Sequence, residues 1–178
     1  VDRLGERAAI DAAAQAGLAP PLVYFDVVTG LMLREYAAGR TWSLADAQDS
    51  RNVARLAGCL KSLHAIEAPT GARRLDYSVL ISQYRHSLAG RGNRRERSTE
   101  IERRADRLLA ALRGAGRGLT LCHNDLHHRN IVDGVALWLI DWEYAAVGDH
   151  LFDLASFASY HEFDVDARGH PSPDVARR

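Results

Sequence analysis

The sequence predicts an α+β fold, mostly helical, in which one short β-hairpin carries the polar chemistry. Three observations predict it. Apolar residues recur at helical spacing in five separate stretches, and short runs rich in Leu, Val, Ile and aromatic residues, bounded by Gly or Asp-Gly, read as strands between them. Between two of those strands lies a run that no core could absorb: His123, Asn124, Asp125, His127, His128, Arg129 and Asn130. Groups so polar beside a core must face a ligand or one another.

Taken in order, residues 3 to 17 form an alanine-rich helix, with Leu4, Ala8 and Ala12 on one face and Gly17 at its C-cap. Pro20-Pro21 forbid its continuation. Leu22 to Phe25 and Leu31 to Tyr36 read as two strands joined by a turn at Thr29-Gly30. One helix then starts at Ser43, an N-cap with Asp46 as its partner, and carries a core stripe of Val53, Leu56, Ala57, Leu60 and Leu63. His64 at its end reads as a satisfied structural histidine. A further helix over 76–89 turns Tyr77, Leu80, Ile81, Tyr84 and Leu88 to packing, and the basic run RGNRRER at 91–97 reads as a solvated connection.

The next helix, capped by Thr99 with Glu102, carries Ile101, Ala105, Leu108, Leu109 and Leu112 inward and ends at Gly114, Gly116 and Gly118. That GxGxG follows a helix and leads into a strand, the reverse of the order that aims a helix N-terminus at a phosphate. Leu119, Leu121 and His123 alternate with Thr120 and Cys122 as a strand. After the polar run, Ile131-Val132 reverse at Asp133-Gly134, a hairpin signal, and return through Leu137 to Ile140. Asp141 thereby comes back beside Asn130. Asp149 caps a last helix through Leu151, Leu154 and Ala158.

At 178 residues and 47% hydrophobic, the chain can bury one sizeable core in one domain or two unequal lobes. Twenty-three basic residues balance 23 acidic ones, so the charge gives no reason to expect nucleic acid or an anionic membrane as partner. Cys59 and Cys122 fall in apolar patterns and read as buried thiols. With no signal peptide and no apolar run of roughly 18 residues, a cytoplasmic location is expected.

A carboxylate and an amide oxygen held side by side, as the hairpin would hold Asp141 and Asn130, suit a hard divalent cation such as Mg²⁺ that keeps phosphates among its ligands. Asp125, five residues before Asn130, sits where a base could orient a hydroxyl. The pattern His-x-Asp-x4-Asn followed by a strand-borne Asp matches the phosphoryl-transfer arrangement of the protein-kinase catalytic loop, with Asp-Trp-Glu in the place of Asp-Phe-Gly. The wording CHNDLHHRNIV, then LWLIDWEYAAVGDHLFDLASF, resembles the choline/ethanolamine kinase branch of the aminoglycoside phosphotransferase and thiamine kinase family.

That resemblance implies a protein-kinase-like fold: a partial N-lobe over 1–38 with helix, two strands and hinge, a helical C-lobe over 39–162, and a disordered tail over 163–178. It implies ATP and Mg²⁺ as cofactors and a small cationic or amino-alcohol acceptor such as choline, ethanolamine or thiamine, with no nucleic acid and no membrane as partner; oligomeric state is left open. Asp125 would orient the acceptor hydroxyl, and Asn130 and Asp141 would hold the metal. His123 and a buried Asp153 would support the loop. Glu6 would pair with the lysine that grips the nucleotide phosphates, and Glu35 and Tyr36 would lie against the adenine. Glu143 would touch a second metal or the acceptor, or pair with Arg129, while Tyr144 would offer its ring to a quaternary ammonium.

The family's glycine-rich loop and its lysine strand do not precede Val1, and Lys61 is the only lysine, so a chain truncated at both ends, inactive by itself, is expected. A catalytically incomplete kinase-like remnant is therefore one alternative. Another is a metal hydrolase in which His123, Asp125, His127 and His128 take Zn²⁺.

Overall fold

The computed structural model describes residues 2–90, 99–114 and 118–163. The basic run at 91–97, the middle of the glycine triplet and the tail beyond Phe163 lie outside them, as do the side chains of Leu88, Thr99, Ile101 and Leu112. The chain divides into two compact units, Val1–Arg73 with Leu119–Arg178, and Arg74–Gly118.

In the first unit, α1 spans Arg3–Gln15, and the Asp2 carboxylate caps it by accepting from Gly5 N at 3.0 Å. Its inward face buries Ala9, Ile10 and Ala13. The helix stops in a Schellman turn, Gly17 N to Ala14 O at 3.0 Å and Leu18 N to Ala13 O at 2.9 Å, with Gly17 at φ 71° one residue past the C-cap Ala16. Two antiparallel strands follow, β1 (Leu22–Phe25) and β2 (Met32–Arg34). Asp26 shapes their turn by accepting from Val28 N and the Thr29 hydroxyl. The second strand is shorter than expected, leaving Glu35 and Tyr36 beyond its end.

A strand that the sequence does not announce, β3 (Gly39–Thr41), pairs antiparallel with β5 (Ile131–Gly134), which also pairs with β6 (Leu137–Leu139). Its Gly-Arg-Thr sequence has neither alternation nor an apolar face, and it is a strand only because β5 offers an edge. This pairing also displaces the hairpin turn. Asp133 and Gly134 remain in β5, and the reversal occurs at Val135-Ala136. Asp133 is held where it is by Arg55, whose two terminal nitrogens each donate at 2.7 Å, and by Trp42 Nε1 at 3.2 Å. The Arg55 guanidinium keeps the Asp133 carboxyl below its ordinary pKa.

The single helix expected from Ser43 is two helices. Ser43 and Asp46 form the capping box of α2 (Leu44–Gln48), but Asp49 is extended and caps a new helix, α3 (Ser50–His64), through Arg51 N and Asn52 N. An aspartate that satisfies two orphan N–H groups outcompetes one more helical turn. Leu56, Leu60 and Leu63 are buried as expected, whereas Ala57 is exposed. Beyond β4 (Thr120–Cys122), the buried segment β7 (Ala146–Gly148) returns as its antiparallel partner and leads into α6 (Leu151–Tyr160), where Asp149 accepts from Leu151 N at 3.0 Å. Ile10, Leu56, Leu63, Leu121, Leu126, Ile131, Leu139, Trp142 and Phe157 form one continuous core.

The second unit holds α4 (Tyr77–Gly90) and α5 (Thr99–Gly114), joined by Arg85 to Asp106 at 2.9 Å. Tyr84 and Leu108, both assigned inward from sequence, are 62% and 61% exposed. Among the described residues, no helix is long and apolar enough to cross a membrane.

Gly134 is required by close approach: a Cβ there would strike the Ala38 carbonyl oxygen, where β3 crosses. Gly17 has open space and needs only its left-handed backbone. Gly134→Ala should therefore cost about 2 kcal/mol of unfolding free energy, and Gly17→Ala about 1 kcal/mol. Urea titration of the two variants checks the order, and a Gly134→Ala protein as stable as the parent would contradict the crossing.

Candidate active site

The polar run is tethered to the core at its middle. Leu126 is fully buried, and this turns its neighbours, Asp125 and His127, to the half-exposed side. A 3-10 turn over His128–Asn130, capped by His127 Nδ1 accepting from Arg129 N at 3.2 Å, then delivers Asn130 to the start of β5.

His123 is buried at the mouth of this loop with both ring nitrogens used. Nδ1 accepts from Asp125 N at 3.3 Å, so the proton resides on Nε2, which donates to Ile140 O at 3.0 Å. Burial pushes its pKa below the ordinary histidine value, against the opposing pull of Asp153. A neutral imidazole thus links the loop to the strand end that carries Asp141.

Asp153, on the first turn of α6, is fully buried and accepts from His123 N at 3.1 Å, Asn124 N at 2.7 Å and His64 Nε2 at 2.9 Å. Asn124 has a left-handed φ of 65°, and its amide nitrogen donates to Tyr144 O at 3.1 Å. Arg73 donates to the same carbonyl at 3.0 Å. These two clamps on the 141–144 segment are invisible in the sequence, because an Asn and a loop Arg carry no periodic signal.

Asp125 and Asn130 touch: the Asn130 amide nitrogen donates to Asp125 Oδ2 at 3.1 Å and to Asp125 O at 2.9 Å. With its N–H groups so committed, Asn130 offers its amide oxygen to anything beyond. Across the hairpin, Ile140 N donates to Asn130 O at 2.9 Å, and Asp141 follows, exposed, at φ 67° and with no side-chain hydrogen bond or ion pair among the described residues. A non-glycine residue in that backbone region costs about 1 kcal/mol, and such outliers cluster at functional sites. Asp141 thus follows directly on the residue whose N–H binds Asn130 O, and a carboxylate and an amide oxygen are the kinds of donor a hard divalent cation takes.

The remaining candidates are placed less closely. Glu143 is half-buried with no ion pair to Arg129 or another group among the described residues, and Tyr144 is half exposed. Glu6 is buried on α1 and bound by Arg3 at 2.7 Å. Glu35 and Tyr36 are exposed, with no side-chain bond to the loop among the described residues. The zinc alternative is not assembled. His123 has no free nitrogen, and His128 faces His161 at 3.1 Å. Among the described residues, the only group of His, Cys, Asp and Glu with converging ligand atoms is His64, Cys122 and Asp153. There burial pushes the Cys122 thiol up to about 12, its sulfur meets Thr120 by hydrogen bond, and the carboxylate already accepts three N–H groups, one of them from His64.

Because the folded state keeps His123, His128 and His161 below their ordinary value of 6.5, the unfolded chain binds more protons once the pH falls under that value. Stability is complete above it and declines below it, with a slope of up to about 1.4 kcal/mol per pH unit from the buried His123 alone. Thermal melts at about pH 7.5 and 5.5 should show this loss, and His123→Gln should flatten it. An unchanged slope in that variant would remove His123 from the account.

No curated protein sequence is similar enough to count as a relative. Solved structures are. A choline/ethanolamine kinase family protein from Mesorhizobium loti aligns at 27% identity and TM-score 0.80, covering 92% of this chain and 57% of its own. The choline kinase LicA from Streptococcus pneumoniae aligns at 24% and 0.75, covering 91% and 57%, and a LicA in complex with AMP aligns at 22% and 0.76. An aminoglycoside-3'-phosphotransferase of type VIII aligns at 25% and 0.57, covering 89% and 64%. The chain thus shares the protein-kinase-like fold expected from its sequence, over 57% of the length of the first two. The family model for the phosphotransferase enzyme family matches residues 2–177, and with the Asp-x4-Asn loop and its hairpin in place this chain belongs to that family.

Proposed function

We propose that the protein is an ATP-dependent small-molecule kinase that phosphorylates a hydroxyl on a cationic or amino-alcohol acceptor of the choline, ethanolamine or thiamine type. The observation that carries this reading is the contact between Asp125 and Asn130, with Asp141 returned alongside by the β5–β6 hairpin. Asp125 orients the acceptor hydroxyl for in-line attack on the γ-phosphate. Its contribution as a base is modest, because a loose transition state makes little demand for proton removal, and position matters more. Asn130 and Asp141 would hold Mg²⁺, which would supply charge neutralisation to the transferring phosphoryl group. On the same reading Glu6, Glu35 and Tyr36 serve the nucleotide.

The acceptor side rests on Tyr144 and Glu143. The Tyr144 backbone is fixed by two donors while the residue stays half exposed, and an aromatic ring at that place suits a quaternary ammonium or a thiazolium. Glu143, half-buried and with no ion pair among the described residues, would add a negative charge beside it.

In the full-length protein, Asp125→Ala and Asp141→Ala should each lower kcat by at least about a thousandfold, measured as acceptor-dependent ADP release. Turnover near that of the parent in either variant would refute the assignment. Tyr144→Ala should raise the KM for choline roughly 2- to 30-fold with little change in kcat, the size of one cation–π contact. Tyr144→Phe should keep the parental KM, and loss in both variants alike would point to the hydroxyl rather than the ring.

A further inference from the structure

The loop that carries Asp125 and Asn130 is held from one side by the beginning of α6, through Asp153. The other end of that helix holds it too. His161, at the C-cap of α6, is 1% exposed, and its Nδ1 lies 2.7 Å from Phe157 O, a group that can only accept. The His161 proton must therefore sit on Nδ1, leaving Nε2 as an acceptor. Two donors of one residue converge on it: His128 N at 3.3 Å and His128 Nδ1 at 3.1 Å. Because Nε2 carries a lone pair, the second contact is attractive only if His128 is protonated on Nδ1. A chain of fixed tautomers results, from the Phe157 carbonyl through His161 to His128, the first residue of the 3-10 turn that ends at Asn130.

We infer that His161 is a positioning residue: by accepting both N–H groups of His128 it sets the 3-10 turn, and so the direction in which the Asn130 amide oxygen faces the cation. The inference rests on the kinase reading for the role of Asn130, whereas the His161–His128 contact stands apart from it. The site requires such a device. Within the loop Asp153 reaches only His123 and Asn124, Leu126 holds the middle, and besides a ring contact of the capping His127 with Tyr160 at 5.0 Å, the His161 hydrogen bonds tie the turn that aims Asn130 to this end of α6. Partners of this kind, one step removed from a ligand, typically change metal affinity or activity about 10- to 100-fold when removed. The rings of Phe157 at 4.2 Å and Phe163 at 6.4 Å pack against His161, so His161→Phe deletes the acceptor while keeping an aromatic ring in that packing.

The experiment has two arms in the full-length protein. In the kinetic arm, His161→Phe should raise the Mg²⁺ concentration giving half-maximal rate about tenfold while the KM for choline stays within about twofold. The effect should not add to that of His128→Ala, since both break one contact. Parental Mg²⁺ dependence, or full additivity, would overturn the inference. In the spectroscopic arm, nitrogen-15 NMR of the unsubstituted protein should show His161 and His128 both as Nδ1–H tautomers, and His128 should lose that preference in His161→Phe. An Nε2–H tautomer at His128 would overturn the contact itself, whether or not any variant folds. If the unsubstituted protein transfers no phosphate, the kinase reading and the role at Asn130 fall together, and the tautomers alone then uphold or overturn the contact.

Discussion

The buried carboxylate of Asp153 is the constraint from which the rest of the site follows. A carboxylate removed from water must find donors nearby, and this one accepts from two successive backbone N–H groups of the loop and from a histidine at the end of α3. Two consecutive amides can reach one carboxylate only if the chain bends sharply between them, and Asn124 accordingly adopts a left-handed backbone. The bend sends Leu126 into the core and Asp125 toward solvent. Remove the carboxylate, and two buried N–H groups are orphaned in the segment that has to be positioned most accurately.

The hairpin answers a second requirement, that a residue far along the chain return to the same place. The β5–β6 pairing does this with few residues, and two interactions fix it. Asp133, gripped by Arg55 and Trp42, ties β5 to α3, and the close passage of β3 over Gly134 fixes the edge of the three-stranded sheet. His123 closes the frame by donating to Ile140 O, one residue before Asp141. Asn130 is thus held by backbone contacts, Asp141 follows a residue held on both its N–H and its carbonyl, and the Asp125 and Asn130 side chains meet.

Much of this was legible in the sequence because the signals are local. The apolar period of α3, the Schellman glycine after α1, the capping box at Ser43 and the dense polar loop all follow from the chemistry of residues a few positions apart. Misreadings arose where a local signal met a stronger distant one. Asp133-Gly134 has the composition of a hairpin turn, yet Arg55, 78 residues away, holds Asp133 in the strand. Ser43 starts a helix, but Asp49 ends it and begins another. Two strands, β3 and β7, had no signal of their own, since each is a strand only by virtue of the partner it pairs with.

By itself the sequence determined the fold class, the helices other than the break at Asp49, and the loop in which Asp125 and Asn130 stand five apart, because periodicity, capping and spacing are properties of neighbouring residues. Only the tertiary structure decided which nitrogens the histidines present, that Asn124 and Arg73 share the Tyr144 carbonyl, and that His161 meets His128 across 33 residues. Hydrogen bonds between distant segments depend on where the core places each backbone. That placement is a sum over many weak apolar contacts that no short stretch of sequence contains.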